Sequence, residues 1–119
     1  MALHYNLSKV YAISENDSDF VHQIINLFVL DTPIHLNHIK IAIEEKNHQK
    51  CYEHSNKIKP SLDLLSLNIA LDEIILIENW AKSMGKKKEV IELYKSVSDR
   101  IEKAIKEIKK DFNLNNTLI

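Results

Sequence analysis

Asn56 and Lys59 stand one helical turn apart in Ser55-Asn56-Lys57-Ile58-Lys59-Pro60-Ser61, a segment that offers an amide and a cation but no nucleophile with a base to activate it. At about 100° per residue, Asn56, Lys59, Pro60, Asp63 and Leu67 share one side of a helix, and Tyr52 and Gln49 extend that side by one and two turns. Cys51, Ser55, Ile58, Leu62 and Leu65 form an inward stripe on the other side, so the Asn56 face is expected to meet solvent, with Lys59 exposed on it. A cation in such a place can stabilise phosphate oxygens. The amide nitrogen of Asn56 cannot attack a phosphoryl group, because its lone pair is delocalised into the carbonyl. Pro60 has no N–H for the Asn56 carbonyl, which leaves that acceptor free and predicts a slight opening of the helix.

The histidines offer other chemistry. His54-Ser55-Asn56-Lys57 spells a second His-x-x-Lys, but that register turns His54 roughly 160° away from the face carrying Lys59. His54 is therefore expected to flank the core and to hydrogen-bond locally. His35 and His38 lie one turn apart and could share a metal, yet nothing near them in sequence supplies a third ligand, so they read as a surface pair. No metal site and no cofactor are expected. Cys51 cannot form an internal disulfide, fits a reducing compartment and falls among core positions.

The elements that must position these residues follow from periodicity. Leu7 to Ile13 can form one or two helical turns before the polar linker Ser14-Glu15-Asn16-Asp17. Asp17 or Ser18 can cap a long helix over about 18–45, in which Phe20, Val21, Ile24, Ile25, Phe28, Val29, Leu36, Ile39 and Ile43 recur at three and four. Pro33 falls inside it and should bend it without ending it. Asn47 caps a second helix over about 48–66, and Asn68 a third over about 69–83 carrying Ile69, Leu71, Ile74, Ile75, Ile77 and Trp80. Gly85 sits where a left-handed C-terminal cap is wanted. A fourth helix over about 87–112 places Val90, Tyr94, Val97, Ile101, Ala104, Ile105, Ile108 and Phe112 on one stripe, and the tail from Leu114 is expected to fray. The aromatics Phe20, Phe28, Trp80 and Tyr94 fall in these stripes and read as core. The expectation is an all-α, antiparallel up-down four-helix bundle with a short N-terminal helix, one domain over residues 1–119 with an ordered core of about 5–112.

The motif on the second long helix resembles the signature helix of histidine-containing phosphotransfer (HPt) domains. There a small residue and a histidine precede a hydrophobic residue and a lysine, then a small residue or Pro-Ser, then a run closing on Leu-Gly. Ser55, Ile58, Lys59, Pro60-Ser61 and Leu65-Ser66 take the corresponding places, and Asn56 stands where the family has its phospho-acceptor histidine. The order of elements from about residue 5 to residue 112, with Thr32-Pro33 inside the long helix, follows the same plan. The resemblance implies a phosphorelay domain that is not itself an enzyme. Its partner would be a response-regulator receiver domain or a hybrid histidine kinase, docking on Gln49, Tyr52, Asn56, Lys59, Asp63 and Leu67. Lys59 would be the phosphate-stabilising cation, and with Asn56 the chain would carry no phosphate. The alternative is a helical interaction or scaffold module unrelated to phosphorelay.

Composition agrees with a helical protein: 45% of residues are hydrophobic and 28% charged, with one glycine and two prolines, too few turn formers for a strand-rich fold. A net charge of −1 gives no global field for nucleic acid or an anionic membrane, and neither partner is expected. Residues 86–111 hold nine Lys/Arg against six Asp/Glu, but Asp99 with Lys103 and Glu102 with Lys106 alternate at helical spacing, the pattern of a solvated face. No stretch is long and apolar enough to span a bilayer, and the N-terminus lacks a signal-peptide pattern, so a cytoplasmic location is expected.

Overall fold

The computed structural model describes residues 4–113. Among them the chain forms five α-helices and no strand: α1 (Ser8–Ser14), α2 (Ser18–Glu44), α3 (His48–Leu64), α4 (Asn68–Lys82) and α5 (Lys87–Asp111). The tail from Leu114 lies outside the described residues. No described helix is long and apolar enough to cross a membrane. Helix α3 packs against α2 and α4, α5 packs against the same two helices, and α1 lies on α2. A continuous hydrophobic cluster joins them through Val10, Phe28, Ile39, Ile58, Leu62, Ile74, Ile77, Val97 and Ile101.

The helix starts follow capping chemistry. Asp17 accepts from the backbone N–H groups of Asp19 and Phe20, and Asn47 from that of Lys50. Pro33 stays inside α2 on an exposed turn, where its missing N–H deprives only the Val29 carbonyl. Helix α4 departs from expectation: it begins at Asn68, its N-cap is Leu67, and no side chain caps it. The i,i+4 pair Asp99–Lys103 closes at 2.9 Å, whereas Glu102 and Lys106 form no ion pair.

The helix ends share one device. After α3, the N–H of Leu67 donates to the Leu62 carbonyl at 2.9 Å and that of Ser66 to Asp63 at 3.0 Å, with Ser66 at φ 58°. This is the Schellman arrangement, in which a left-handed residue reverses the chain and lets the next side chain fold back onto the helix. Lys46 and Met84 do the same after α2 and α4. Gly85 is therefore not the left-handed residue; Met84 is, at φ 56°. Gly85 is needed for a different reason, since a Cβ there would overlap the indole of Trp80, which donates to the Lys86 carbonyl. The positive φ of Ser66 costs an L-residue about 1–2 kcal/mol. Ser66→Gly should stabilise the protein by about 0.5–1 kcal/mol, after the extra backbone entropy of glycine in the unfolded chain is subtracted. Urea denaturation checks this, and a lower midpoint in the variant would refute it.

Several apolar positions do not go where periodicity sent them. Phe20, Ile69 and Ile75 are exposed, and Ile24, Leu71, Trp80, Tyr94 and Phe112 are half-buried. Phe20 and Ile69 fall in the first turns of α2 and α4, where Val21 and Ala70 are the residues that turn inward. Tyr94 keeps its hydroxyl on the Leu36 carbonyl at 2.9 Å, a polar tip that holds the ring at the core margin.

Candidate functional site

Helix α3 buries Cys51, Ser55, Ile58 and Leu62 and turns Asn56 to solvent, as its apolar spacing dictates. Cys51 is a core residue whose thiol burial pushes up to about 11. Of the other face residues, Gln49 and Asp63 are exposed, and Tyr52 and Lys59 half-buried. Leu67 is buried and does not belong to the face. The 100° projection assumed a helix running to residue 66; the left-handed turn at Ser66 instead sends Leu67 into the core beside Leu62.

Lys59 is also not the free cation expected. Its Nζ donates to Glu78 Oε1 at 2.9 Å, linking α3 to α4. The Glu78 side chain is 5% exposed, and its second oxygen, Oε2, has no hydrogen-bond partner. The Lys59 charge is thus largely spent holding a carboxylate in the interior, with 30% of its side chain left to solvent. Glu78 was overlooked in the sequence, although a lone carboxylate one turn after Ile74 in Ile74-Ile75-Leu76-Ile77-Glu78 is a readable signal of a buried charge seeking a partner. Lys59→Ala should cost about 1–3 kcal/mol, less than for a fully buried pair because Lys59 keeps some solvent. Adding Glu78→Gln should recover part of that loss. A double-mutant cycle by urea denaturation checks it, and additive losses would mean that the two groups do not interact.

The remaining contacts order the face. Gln49 Nε2 donates to Glu53 at 3.2 Å, the Lys82 ammonium stands over the Tyr52 ring at 5.2 Å, and Lys9 pairs with Asp63 at 3.0 Å. Gln49 and Tyr52 also line an open groove of about 770 Å³ between α3 and the end of α4, with Lys46 and Lys82 on its walls.

His54 lies on the opposite flank of α3, toward α2. Its Nδ1 is 2.9 Å from His35 Nδ1, and its ring stacks on His38 at 4.5 Å with 13° between planes. His35 Nε2 reaches Asp31 at 3.2 Å. His35 and His38 are therefore not a plain surface pair but two members of a three-histidine cluster, in which His54 stacks on His38 and hydrogen-bonds His35. Sequence spacing could not show this, since the third ring comes from another helix. Among the described residues no group of three or more His, Cys, Asp or Glu is arranged to hold a metal ion.

A single proton can occupy the His35–His54 contact, so charging both rings breaks it. Burial, then the neighbouring His38 and His35, lowers the His54 pKa below its ordinary 6.5. The unfolded chain then takes up the proton first as pH falls. The stability contributed by neutral His54 is complete above 6.5 and is lost between 6.5 and the lower folded value. His54→Gln should accordingly be less sensitive to acid than the parent. Urea midpoints of both proteins between about pH 8 and pH 5 test this, and a constant difference between them would refute it.

No protein-family model, curated protein or solved structure matches the chain.

Proposed function

We propose that the chain is an HPt-like domain that docks a response-regulator receiver domain, or the receiver portion of a hybrid histidine kinase, without carrying phosphate. In this reading α2 to α5 form an antiparallel up-down bundle, because each packed pair consecutive in sequence is joined by a short turn, and α1 is the short N-terminal helix. The observation that carries the proposal is the setting of Asn56. It is an exposed amide in the middle of a helix buried on its other side, one turn from a cation, in a segment that resembles the family's signature except at the acceptor and at Ser66. Its surface keeps polar and hydrogen-bonding groups for a partner while the attacking nitrogen is gone. Gln49, Tyr52, Asn56, Lys59 and Asp63 form the docking face, with the groove beside Tyr52, walled by Lys46, Lys82 and Glu45, as its edge.

The test is titration of the isotope-labelled chain with purified receiver domains encoded in the same genome. Resonance shifts should concentrate on Gln49, Asn56 and Asp63, and Asn56→Arg, a surface change, should weaken binding at least tenfold. A chain that ignores every such receiver is the interaction module unrelated to phosphorelay, and the proposal then fails.

A further inference from the structure

Helix α2 is apolar on two sides. One side carries Ile25, Phe28, Leu36 and Ile39 into the core. On the other, Phe20, Leu27, Ile34 and Ile41 recur at seven-residue intervals, and Leu30 follows Leu27 by three. All five are exposed, Leu27 at 61% and Ile34 at 55%. Neighbouring helices take the flanks and leave this side open: His54 of α3 meets His35, and Tyr94 of α5 meets the Leu36 backbone. A helix in a globular fold needs one apolar stripe near a 3.6-residue period; a second with a seven-residue repeat is the pattern of a helix–helix seam.

We propose that this stripe joins two copies of the chain, α2 against α2, parallel and in register. In that alignment each apolar position meets its own copy, and the interrupting Gln23 and Asn37 meet theirs. Antiparallel alignments set Phe20, Leu27, Ile34 or Ile41 against Gln23 or Asn37, which leaves polar groups against hydrocarbon. A polar Asn pair within such a seam selects one register at some cost in stability. Charge supports the same alignment. Lys40 and Glu45 flank the seam five residues apart, the spacing that brings one chain's Lys to the other's Glu in a parallel pair. Neither forms an ion pair among the described residues of its own chain. The stripe from residue 20 to residue 41 is about 32 Å long, a small interface, so the pair should dissociate on dilution.

Sedimentation of the full chain from about 1 μM to about 1 mM should show dimer growing with concentration. Leu27→Asp with Ile34→Asp, both at exposed positions, should weaken association at least tenfold with helix content unchanged. Should that variant misfold, Lys40→Glu should weaken the dimer and adding Glu45→Lys should restore it. Parallel register is read by oxidation: Leu27→Cys and Ile41→Cys should each form a disulfide-linked homodimer, since like positions then face each other within bridging distance, and buried Cys51 should not contribute. A monomer throughout the range, a dimer indifferent to every variant, or failure of either cysteine to cross-link would overturn the proposal. So would a monomeric chain whose receiver binding is lost in Leu27→Asp/Ile34→Asp, for the stripe would then belong to that contact. The Asn56 face lies on α3, so loss of the dimer alone leaves receiver docking standing.

Discussion

Asn56→His should be labelled to about one phosphoryl group per molecule by a phosphorylated receiver domain, where the parent chain should take up none. In the transfer, a ring nitrogen attacks phosphorus, the P–N bond forms, the P–O bond to the receiver's aspartate breaks, and the carboxylate leaves. The parent cannot begin this step, because its amide lone pair is delocalised and its nearest imidazole, His54, is turned toward α2 and stacked on His38. Asn56 is exposed, so the substitution should change stability by no more than about 0.5 kcal/mol. Lys59→Ala in the Asn56→His background should slow labelling by removing a cation near the phosphoryl oxygens. Because Glu78 holds that cation at 2.9 Å, Glu78→Gln should speed labelling by releasing it. Labelling is read as acid-labile, base-stable phosphate on intact protein. A folded Asn56→His chain that no receiver of the same genome can label would remove the phosphotransfer reading, and label on His54 of the parent would show that the other His-x-x-Lys is the site.

Leu62→Ala should cost about 2–5 kcal/mol, the range for truncating a fully buried leucine whose cavity the surroundings fill incompletely. Leu62 is wholly buried in the cluster that joins α3 to its neighbours, and its carbonyl accepts from Leu67 in the turn that ends the helix. The loss would be a large fraction of a small domain's total stability. Equilibrium urea unfolding measures it. A cost below about 0.5 kcal/mol, the level of surface substitutions, would mean that the inward stripe of α3 is rotated from Cys51, Ser55, Ile58 and Leu62.

Local pattern was enough for most of the scaffold. The spacing of Ile25, Phe28, Leu36 and Ile39, the caps at Asp17 and Asn47, and the scarcity of glycine and proline define helices within a residue or two of their observed bounds. They also place Asn56 outward and Leu62 inward, since orientation within one helix depends only on the 3.6-residue repeat. The repeat stops carrying information where the helix stops. Leu67 was assigned to the Asn56 face by continuing the rotation, and the left-handed Ser66 reversed it into the core.

Which residues meet between helices had no signature in the chain. Lys59 and Glu78 are nineteen residues apart, as are His35 and His54, and their meeting depends on how far each helix slides and rotates against its neighbour. That register is decided by the packing of many side chains together. The sequence by itself determined the helices, most of their inner faces and the outward place of the Asn56 amide. Only the tertiary structure decided that the lysine near Asn56 is bound to a buried carboxylate, that three histidines gather at one helix pair, and that the stripe from Phe20 to Ile41 is left uncovered. Those outcomes come from desolvating groups that belong to different helices, a free-energy term that exists only once the helices are packed.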